Sequence, residues 1–570
     1  MADVKRKASV ERPWLQYYPE PLRNFVPSED TLTDFILNHN DRTDKEIIEF
    51  YGKTFTLDEI VAETDRVAKG FTALGVKEND RIVVFLRAVP EFIFTLLAAE
   101  KIGAAILCHD GEPEEKAAAI ADANAKVAVC FDYVSESEEK VFYNNSDLEK
   151  LVLVSPYTYS VREAMPDYIQ NNIRALYTDA SACDERSIKW ADFLKMGDEI
   201  KEDVAVAKNP DRPLYCSYTS GSTGPSKQVV HTARTMNGVL GQLVIPGGIG
   251  FTLRVYHSML PPALVAIVNS ILMYNMASGN YLILGAFSEA EDIDLEFMRY
   301  KPNQMIAVPM MADILMKSER IPEDYPMNDL YVIGGGADPV HNKWLEQMQA
   351  FLKKHGSPAV FSMCYGLSEA GSTVANPHPK QDFRNCGGGV PMRGTIISVF
   401  EPGTQNELDY GQIGEICTSG PSSMIGYGTA EDTAKVLQHH PDGRIWVHTG
   451  DYGYMNEAGE LFVYSRGLNK RFGGGILFTT VMENKVVDLD FIKDCFFVIP
   501  ADKEHEGYFL PYLYVVLENG VELSDVEATI RSRLEEHEQP VEIYVVEKRE
   551  YFHFKTNRRI LAAKILNGEH

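Results

Sequence analysis

The chain has 570 residues, too many for one compact domain, and its length suggests two to four domains. Hydrophobic residues make up 45% and charged residues 24%, as in a globular protein with a large core. The net charge of -27 repels phosphate backbones and anionic lipids. We therefore expect no nucleic-acid partner and no stable membrane insertion, and any site for an anionic ligand must concentrate its cations locally.

The cysteines and the N-terminus bear on location. The eight cysteines form no CxxC pair, so the sequence indicates neither a zinc site nor a redox dithiol. Scattered single cysteines are typical of a reducing cytoplasm, and the polar N-terminus lacks the apolar stretch of a secretory signal, so we predict a cytoplasmic protein. The most apolar stretch, residues 259–276, contains Pro261, Pro262 and Asn269 and is predicted to be buried in the fold.

Helix and strand patterns alternate over residues 59–110. A helix with apolar residues at helical spacing ends at Gly75 and is followed by a strand over 81–86. A second helix over 90–103 leads into a second strand over 104–108. This order predicts a parallel sheet with helices on its faces.

Later segments differ in character. Residues 133–149 are polar and charged, and we predict a surface loop there. Glycine-bounded short strands predict a β-rich region over 387–465. In the last hundred residues a strand over 510–517 precedes a helix, for which Ser524 and Glu527 form a capping-box pattern.

The most informative segment is residues 218–227, which read Tyr-Thr-Ser-Gly-Ser-Thr-Gly-Pro-Ser-Lys. Hydroxyl groups, backbone N–H groups and a lysine all bind phosphate oxygens, and glycines allow close backbone approach. A flexible linker rarely carries so ordered a pattern within a folded region. A Walker A loop is excluded because Lys227 is followed by Gln228. The segment therefore predicts a phosphate-binding loop after a strand over 213–217.

This loop resembles the phosphate loop of the adenylate-forming superfamily, which includes acyl-CoA synthetases, nonribosomal peptide adenylation domains and luciferases. Further motifs follow in the family's order. Residues 334–337 resemble the adenine-binding turn, and residues 365–370 resemble the motif with the magnesium ligand. Asp451 and Arg466 match the family's ribose and phosphate ligands. The N-terminal part is most similar to fatty-acyl-CoA synthetases.

The resemblance implies an α/β fold with a large N-terminal domain of mixed sheets and helices, residues 1–467, and a small mobile α+β lid, residues 468–570. It implies ATP-dependent activation of a carboxylic acid through an acyl-adenylate to a coenzyme A thioester, with release of AMP and pyrophosphate. The implied partners are ATP, Mg²⁺, coenzyme A and a small-molecule acid.

The resemblance also assigns site residues by position. The implied nucleotide-binding residues are Thr219, Ser220, Gly221, Ser222, Thr223, Gly224, Lys227, Gly335, Gly336, Ala337, Tyr365, Gly366, Ser368, Asp451 and Arg466. Glu369 and Thr219 are the implied magnesium ligands. The implied catalytic residues are Thr219, Glu369, Lys555 and Arg559.

The C-terminal segment departs from the family pattern. The family has a Gly-Lys pair before Ile-Leu, and here Arg558 and Arg559 stand at those positions. Arg559 keeps the charge but replaces a compact ammonium with a planar guanidinium. Lys555, a few residues earlier, is the alternative cation. At the hinge Leu468 replaces the usual Asp or Lys, and Asn469 is the alternative there.

Substrate and acceptor are the least defined features. Residues 263–264 are Ala-Leu where the family often has an aromatic-His pair, which favours a roomy apolar pocket and a fatty or other bulky hydrophobic acid. Two alternatives stay open: transfer to the phosphopantetheine arm of an acyl carrier protein, and a non-catalytic homologue that binds nucleotide. His439 and His440 precede a Pro-Asp-Gly turn, so we predict a solvated loop and not a metal site.

Overall fold

The computed structural model describes residues 6–177, 184–219, 226–244, 252–378, 384, 386–552 and 554–569. The strands are β1 Glu46–Phe50, β2 Lys53–Thr56, β3 Arg81–Phe85, β4 Ala105–Cys108, β5 Val127–Phe131, β6 Lys150–Val154, β7 Ser187–Lys189, β8 Pro213–Tyr218, β9 Gln228–Thr232, β10 Arg254–His257, β11 Tyr281–Leu284, β12 Gln304–Ile306, β13 Val332–Gly335, β14 Ser362–Met363, β15 Tyr365–Leu367, β16 Ser372–Asn376, β17 Gly387–Pro391, β18 Ile396–Phe400, β19 Gly414–Ser419, β20 Gly426–Tyr427, β21 Leu437–His439, β22 Ile445–Met455, β23 Leu461–Arg466, β24 Ile492–Val498, β25 Tyr512–Leu517, β26 Ile543–Val545, β27 Tyr551–Phe552 and β28 Lys555–Thr556.

The α-helices are α1 Ala8–Glu11, α2 Glu20–Arg23, α3 Leu32–His39, α4 Leu57–Ala73, α5 Pro90–Ile102, α6 Pro113–Ala123, α7 Glu136–Asn144, α8 Asp167–Leu176, α9 Trp190–Glu199, α10 Ala233–Leu243, α11 Val265–Ile267, α12 Tyr274–Ala277, α13 Ile293–Tyr300, α14 Pro309–Lys317, α15 Asn342–Lys354, α16 Ala430–Val436, α17 Thr479–Val487, α18 Leu523–Ser532 and α19 Arg558–Asn567. A π-helical segment, Val268–Met273, joins α11 to α12. Within the described part of the chain, every helix is too short or too polar to cross a membrane.

Two large, mostly parallel sheets carry the N-terminal two thirds of the fold. One has the order β14-β13-β12-β10-β11-β1-β2 and the other β20-β9-β8-β4-β3-β5-β6-β7. Helix α5 shows why the layers form: Pro90 occupies its first turn, Gly103 ends it in the left-handed conformation, and nearly all of its side chains are buried. The predicted β-α-β order over residues 59–110 is confirmed by α4, β3, α5 and β4, because β3 and β4 are parallel neighbours.

The third sheet is antiparallel and has the order β15-β16-β17-β23-β22-β19-β18, with β21 paired to β22. It corresponds to the predicted β-rich region. Its long strand β22 places Asp451 directly opposite Arg466 of β23. This register decides where two of the predicted site residues meet.

The C-terminal residues form a smaller α+β part with a core of its own. Strands β24, β25 and β26 make one sheet, and β27 and β28 make a hairpin. Leu477, Phe497 and Ile530 are among the side chains of this core. The predicted α/β fold class is therefore confirmed. The boundary between residues 467 and 468 and the mobility of the lid stay predictions.

Two local predictions were wrong. Residues 133–149 contain helix α7, which Ser135 and Glu138 begin with a capping box, and whose Phe142 and Tyr143 are buried. The polar composition hid this amphipathic pattern. Helix α18 begins at Leu523 after Glu522, without a side-chain cap, so the predicted capping box at Ser524 does not form.

Candidate active site

The two ends of the predicted phosphate loop meet at the tip of the β8–β9 hairpin. The Thr219 N–H donates to the Lys227 carbonyl at 2.9 Å, and the Lys227 N–H donates to Thr219 Oγ1 at 3.0 Å. The antiparallel strands thus fix where the loop leaves and returns. The predicted ligands Ser220, Gly221, Ser222, Thr223 and Gly224 lie outside the described residues.

The side chain of Tyr427 connects Lys227 to Glu369, the predicted magnesium ligand. Its ammonium lies 5.1 Å from the ring centroid of Tyr427. The Tyr427 hydroxyl donates to Glu369 Oε1 at 2.6 Å, and Glu369 is buried. Burial, followed by the charge of Glu369, raises the pKa of Tyr427 well above its ordinary value, so the phenol stays a hydrogen-bond donor. Tyr427 is a site residue that no spacing in the sequence indicated.

Asp451 and Arg466 form the second part of the site. Their strand register brings Arg466 Nε to 3.9 Å from Asp451 Oδ1. The Tyr365 hydroxyl donates to Asp451 Oδ2 at 2.7 Å. Burial raises the pKa of the Asp451 carboxyl, while Arg466 and Tyr365 act in the opposite direction. A buried carboxylate with both oxygens engaged in this way is held in a fixed orientation.

The predicted adenine turn requires glycine for a steric reason. A Cβ at Gly335 would lie 2.3 Å from the Ala307 carbonyl oxygen, and one at Gly336 would lie 3.1 Å from the Cys364 carbonyl oxygen. Ala337 follows with φ of 74°, a left-handed conformation that costs a non-glycine residue energy. The turn therefore brings bare backbone close to the carbonyl oxygens of Ala307 and Cys364, and adenine binding at this turn stays a prediction from the family resemblance.

Residues 366–370 contain the predicted metal ligand, Glu369. Gly366 lies in β15, where a Cβ would meet the Ser372 carbonyl oxygen at 2.3 Å. His231 Nε2 lies 2.8 Å from the Ser368 carbonyl oxygen and donates to it. Burial lowers the pKa of His231 to about 4, so the ring is neutral. This buried histidine on β9 supports the segment that carries Glu369, and sequence reasoning missed it.

The C-terminal tail contributes a different cation from the one the family pattern names. Lys555, in hairpin strand β28, is half-buried. It interacts electrostatically with Arg466, Asp338 and Asp451. Burial, followed by Arg466, lowers its pKa. Arg559 is exposed on the first turn of α19. Lys555 thus lies within range of the charge of Asp451, the predicted ribose ligand, whereas Arg559 is at the surface.

Arg558, the other arginine of this segment, contacts both the large N-terminal part and the smaller C-terminal part of the fold. Its guanidinium lies 3.1 Å from Asp338 Oδ1 and 3.0 Å from Glu483 Oε1. The Thr556 N–H donates to Asp338 Oδ2 at 2.9 Å, and the Thr556 hydroxyl donates to the same oxygen. Asp338 follows the adenine turn directly, so these contacts, which we call the Asp338 clasp, tie the tail to that turn.

A buried polar cluster supports Asp451 from behind. Glu415, Cys417 and His448 place possible metal-ligand atoms within 4.8 Å of one another. Hydrogen bonds account for these groups: Glu415 accepts from the Gly450 N–H at 3.1 Å and from His448 at 2.9 Å, and His448 pairs with His440 at 2.9 Å. The predicted solvated loop is wrong for His440, which is 7% exposed and packs in this cluster.

The described groups therefore surround one site. Glu369 is close enough to Asp451 for its charge to raise the pKa of that carboxyl, and Arg466 acts on both Tyr427 and Lys555. Cations just before β9, in β23 and in β28 thus lie near carboxylates from other segments of the chain. Such an arrangement suits a ligand with a phosphate chain, hydroxyl groups and a divalent cation.

Sequence comparisons with known proteins point to the same kind of ligand as this geometry. Residues 37–428 match the family described as AMP-binding enzyme. The chain is 26% identical over 467 residues to 4-coumarate-CoA ligase 2 of Narcissus pseudonarcissus, which covers 79% of this chain and 76% of the relative. It is 26% identical over 495 residues to 4-coumarate-CoA ligase 3 of rice, Oryza sativa subsp. japonica, with 84% and 80% covered.

Solved structures share the fold. The ATP-bound structure of MatB from Rhodopseudomonas palustris aligns with a TM-score of 0.76 at 17% identity, covering 94% of this chain and all of that one. The O-succinylbenzoate coenzyme A synthetase of Bacillus subtilis, with ATP and magnesium, aligns with a TM-score of 0.71 at 18% identity, covering 93% and 99%. At these identities the likeness concerns the fold.

The family match spans more than half of the chain and contains the phosphate loop, the adenine turn and Glu369. The predicted recognition as an adenylate-forming, AMP-forming acid-thiol ligase is confirmed at that level: this chain belongs to the AMP-binding enzyme family.

Proposed function

We propose that the protein activates a carboxylic acid with ATP, forming an acyl-adenylate and pyrophosphate, and then transfers the acyl group to the thiol of coenzyme A. The observation that carries the proposal is the row of contacts from Lys227 through Tyr427 to Glu369, near the Asp451–Arg466 pair, whose charges also act on Lys555. ATP, Mg²⁺ and coenzyme A are the partners that an enzyme of this type uses.

The residues take roles that follow from their chemistry. In adenylation a carboxylate attacks the α-phosphorus in line and pyrophosphate leaves, so two anions must be brought together. Lys227 and the Thr219 hydroxyl serve the β- and γ-phosphates. Asp451 accepts hydrogen bonds from the two ribose hydroxyls. Lys555 faces the α-phosphate and the attacking carboxylate, where a positioned cation stabilises the charge that develops.

Magnesium fits the donor set that the described residues offer. Mg²⁺ prefers oxygen ligands from one or two carboxylates plus substrate phosphates. Glu369 supplies such an oxygen because Tyr427 engages only Oε1. Thr219 is the second proposed ligand, and its Oγ1 already accepts from the Lys227 N–H. Bound Mg²⁺ would neutralise triphosphate charge during the attack.

For the acid, we propose an aromatic substrate of the hydroxycinnamate type as the first candidate. The support is that the plant relatives are named as ligases of 4-coumarate, and that a neighbour with a TM-score of 0.77 is an anthranilate CoA ligase in complex with anthranoyl-AMP. The fatty-acid expectation, based on Ala263 and Leu264, has no such support and becomes the second candidate.

The experiment is a panel of carboxylic acids scored for pyrophosphate release, with and without coenzyme A. The panel contains 4-coumarate, benzoate, anthranilate, malonate and fatty acids of several lengths. We expect release that depends on an aromatic acid, and thioester only when coenzyme A is added. Equal release without any acid would mean plain ATP hydrolysis and would contradict the proposal.

The same assay separates the two remaining alternatives. A preference for a phosphopantetheinylated carrier protein over coenzyme A would favour carrier loading. Nucleotide binding without pyrophosphate release for any acid would favour a non-catalytic homologue. The half-buried position of Lys555, within range of the charge of Asp451, supports catalysis over that last alternative, because it offers a cation in place of the family's lysine.

A further inference from the structure

Lys227, the proposed phosphate ligand, has a carboxylate partner at the edge of the nucleotide site. Its Nζ lies 3.3 Å from Asp432 Oδ1, and about a third of each side chain is exposed: 35% for Lys227 and 31% for Asp432. The same ammonium packs over the ring of Tyr427. The cation that should meet the triphosphate is therefore already compensated by a neighbouring anion.

Asp432 is held in this position by the start of helix α16. The Asp432 N–H donates to Thr429 Oγ1 at 3.2 Å, and the Thr429 hydroxyl donates to Asp432 Oδ2 at 2.9 Å. Asp432 Oδ2 thus accepts a hydrogen bond at the helix cap. Asp432 Oδ1 faces Lys227 and lies 3.5 Å from Lys435 Nζ. The carboxylate stands beside the point where the phosphate loop returns to β9.

A carboxylate at this place opposes binding of a phosphate chain in two ways. It pairs with the ammonium that the phosphates need, and its own charge repels them. We propose that Asp432 is a competing counter-ion for Lys227, which weakens the binding of the ATP triphosphate and of the pyrophosphate product and so favours pyrophosphate release. This inference rests on the proposed nucleotide site and deepens it.

Asp432→Asn tests the charge with little change in shape, because the backbone N–H of residue 432 still donates to the Thr429 side chain that caps α16. We expect the variant to bind MgATP and Mg-pyrophosphate about two- to fivefold more tightly, since partly exposed ion pairs are weak. Isothermal titration calorimetry on the full chain measures both dissociation constants without any need for turnover, and a thermal unfolding curve checks that the variant is folded.

The neighbouring acid supplies a matched control. Glu431 lies one residue away and pairs with Lys435 at 2.8 Å, so Glu431→Gln removes the same charge without touching Lys227. It should leave both dissociation constants unchanged. In a Lys227→Met background, Asp432→Asn should lose most of its effect, because a double-mutant cycle isolates the coupling between the two side chains.

The outcomes distinguish this inference from the proposed function. Weaker binding in Asp432→Asn would mean that Asp432 orients Lys227 toward phosphate, and unchanged binding would mean that the pair is only structural. Either result overturns the inference while leaving the nucleotide site intact. Absence of MgATP binding by the unaltered protein would overturn the nucleotide site itself, and the inference with it.

Discussion

Strands β22–β23 and the C-terminal tail contribute to the same site by different means. Asp451 and Arg466 meet because they are opposite in a strand register, and their carboxylate and guanidinium match the family's positions directly. In the tail the usual Gly-Lys pair is absent, and the three cations have different surroundings. Lys555 lies within range of the charges of Asp451 and Arg466, Arg558 joins the Asp338 clasp and Arg559 is exposed.

This difference indicates that a sequence motif predicts the position of a side chain reliably where the backbone alone fixes that position. In β22–β23 a one-residue slip would reverse every side chain, so the register is strongly determined. The tail is a two-residue strand pair followed by a helix, and its placement depends on contacts with Asp338. Which of its cations enters the site is therefore decided by tertiary structure.

The sharpest test of the comparison is to remove the two candidate cations of the tail one at a time. Lys555→Ala should reduce acid-dependent pyrophosphate release about 10²–10³-fold, the cost of removing one positioned donor to developing charge. Arg559→Ala should change the rate little, because its side chain is exposed. Pre-steady-state pyrophosphate release measures the adenylation step for both.

Binding of MgATP is the control for the Lys555→Ala and Arg559→Ala variants. Both variants should bind MgATP within about twofold of the unaltered protein, since the lost interaction acts mainly in the transition state. If Arg559→Ala proved the more damaging of the two, the assignment of Lys555 would be wrong and the tail would follow the family position after all.

The second prediction concerns the clasp. Arg558→Met leaves Asp338 and Glu483, which are 7% and 1% exposed, without their shared guanidinium. Removing one partner of a buried ion pair costs about 3–5 kcal/mol, so we expect a lower Tm for the C-terminal part. Because Lys555 lies three residues from Arg558, we expect adenylation by the folded enzyme to fall about tenfold from misplacement of its ammonium.

A less buried arginine of the same part provides the comparison. Arg531 pairs with Glu527 at 2.8 Å and donates to the Pro540 carbonyl at 2.8 Å, so Arg531→Met should cost less than about 2 kcal/mol and leave adenylation unchanged. Thermal unfolding and pyrophosphate release, both measured well below the Tm, separate the two effects. A loss of stability in Arg558→Met with full adenylation would show that the clasp does not position Lys555.

Much of this could be predicted from the sequence, for identifiable reasons. The β-α-β order around Gly75 and Gly103 follows from periodicity and helix-ending glycines, and the family motifs located Glu369, Asp451 and Arg466. Helix α7 was missed because its few apolar residues lie in a strongly charged segment. Tyr427 was missed because its partners, Glu369 and Lys227, are 58 and 200 positions away in the chain, and only the packing of β20 on β9 brings them together.

Tyr427 also supplies the smallest predicted effect, and one that bears on the strand-built part of the site. Its hydroxyl holds Glu369 Oε1 and leaves the other oxygen for the metal. Tyr427→Phe removes one hydrogen bond to a carboxylate, which contributes about 1.5–3 kcal/mol in all. We expect magnesium binding to lose only part of this, about 1 kcal/mol, so the Mg²⁺ concentration for half-maximal pyrophosphate release should rise about fivefold, with kcat at saturating Mg²⁺ little changed.

Tyr281→Phe is the matched control, because the Tyr281 hydroxyl donates to Glu49 at 2.9 Å in the parallel sheet that carries β1 and β11. It removes the same kind of hydrogen bond and should leave the Mg²⁺ dependence unchanged. If Tyr427→Phe instead lowered kcat at every Mg²⁺ concentration, the hydroxyl would act on the reacting phosphate. The Glu369 carboxylate would then be oriented by the 3-10 turn Ser368–Ala370 that carries it, and not by Tyr427.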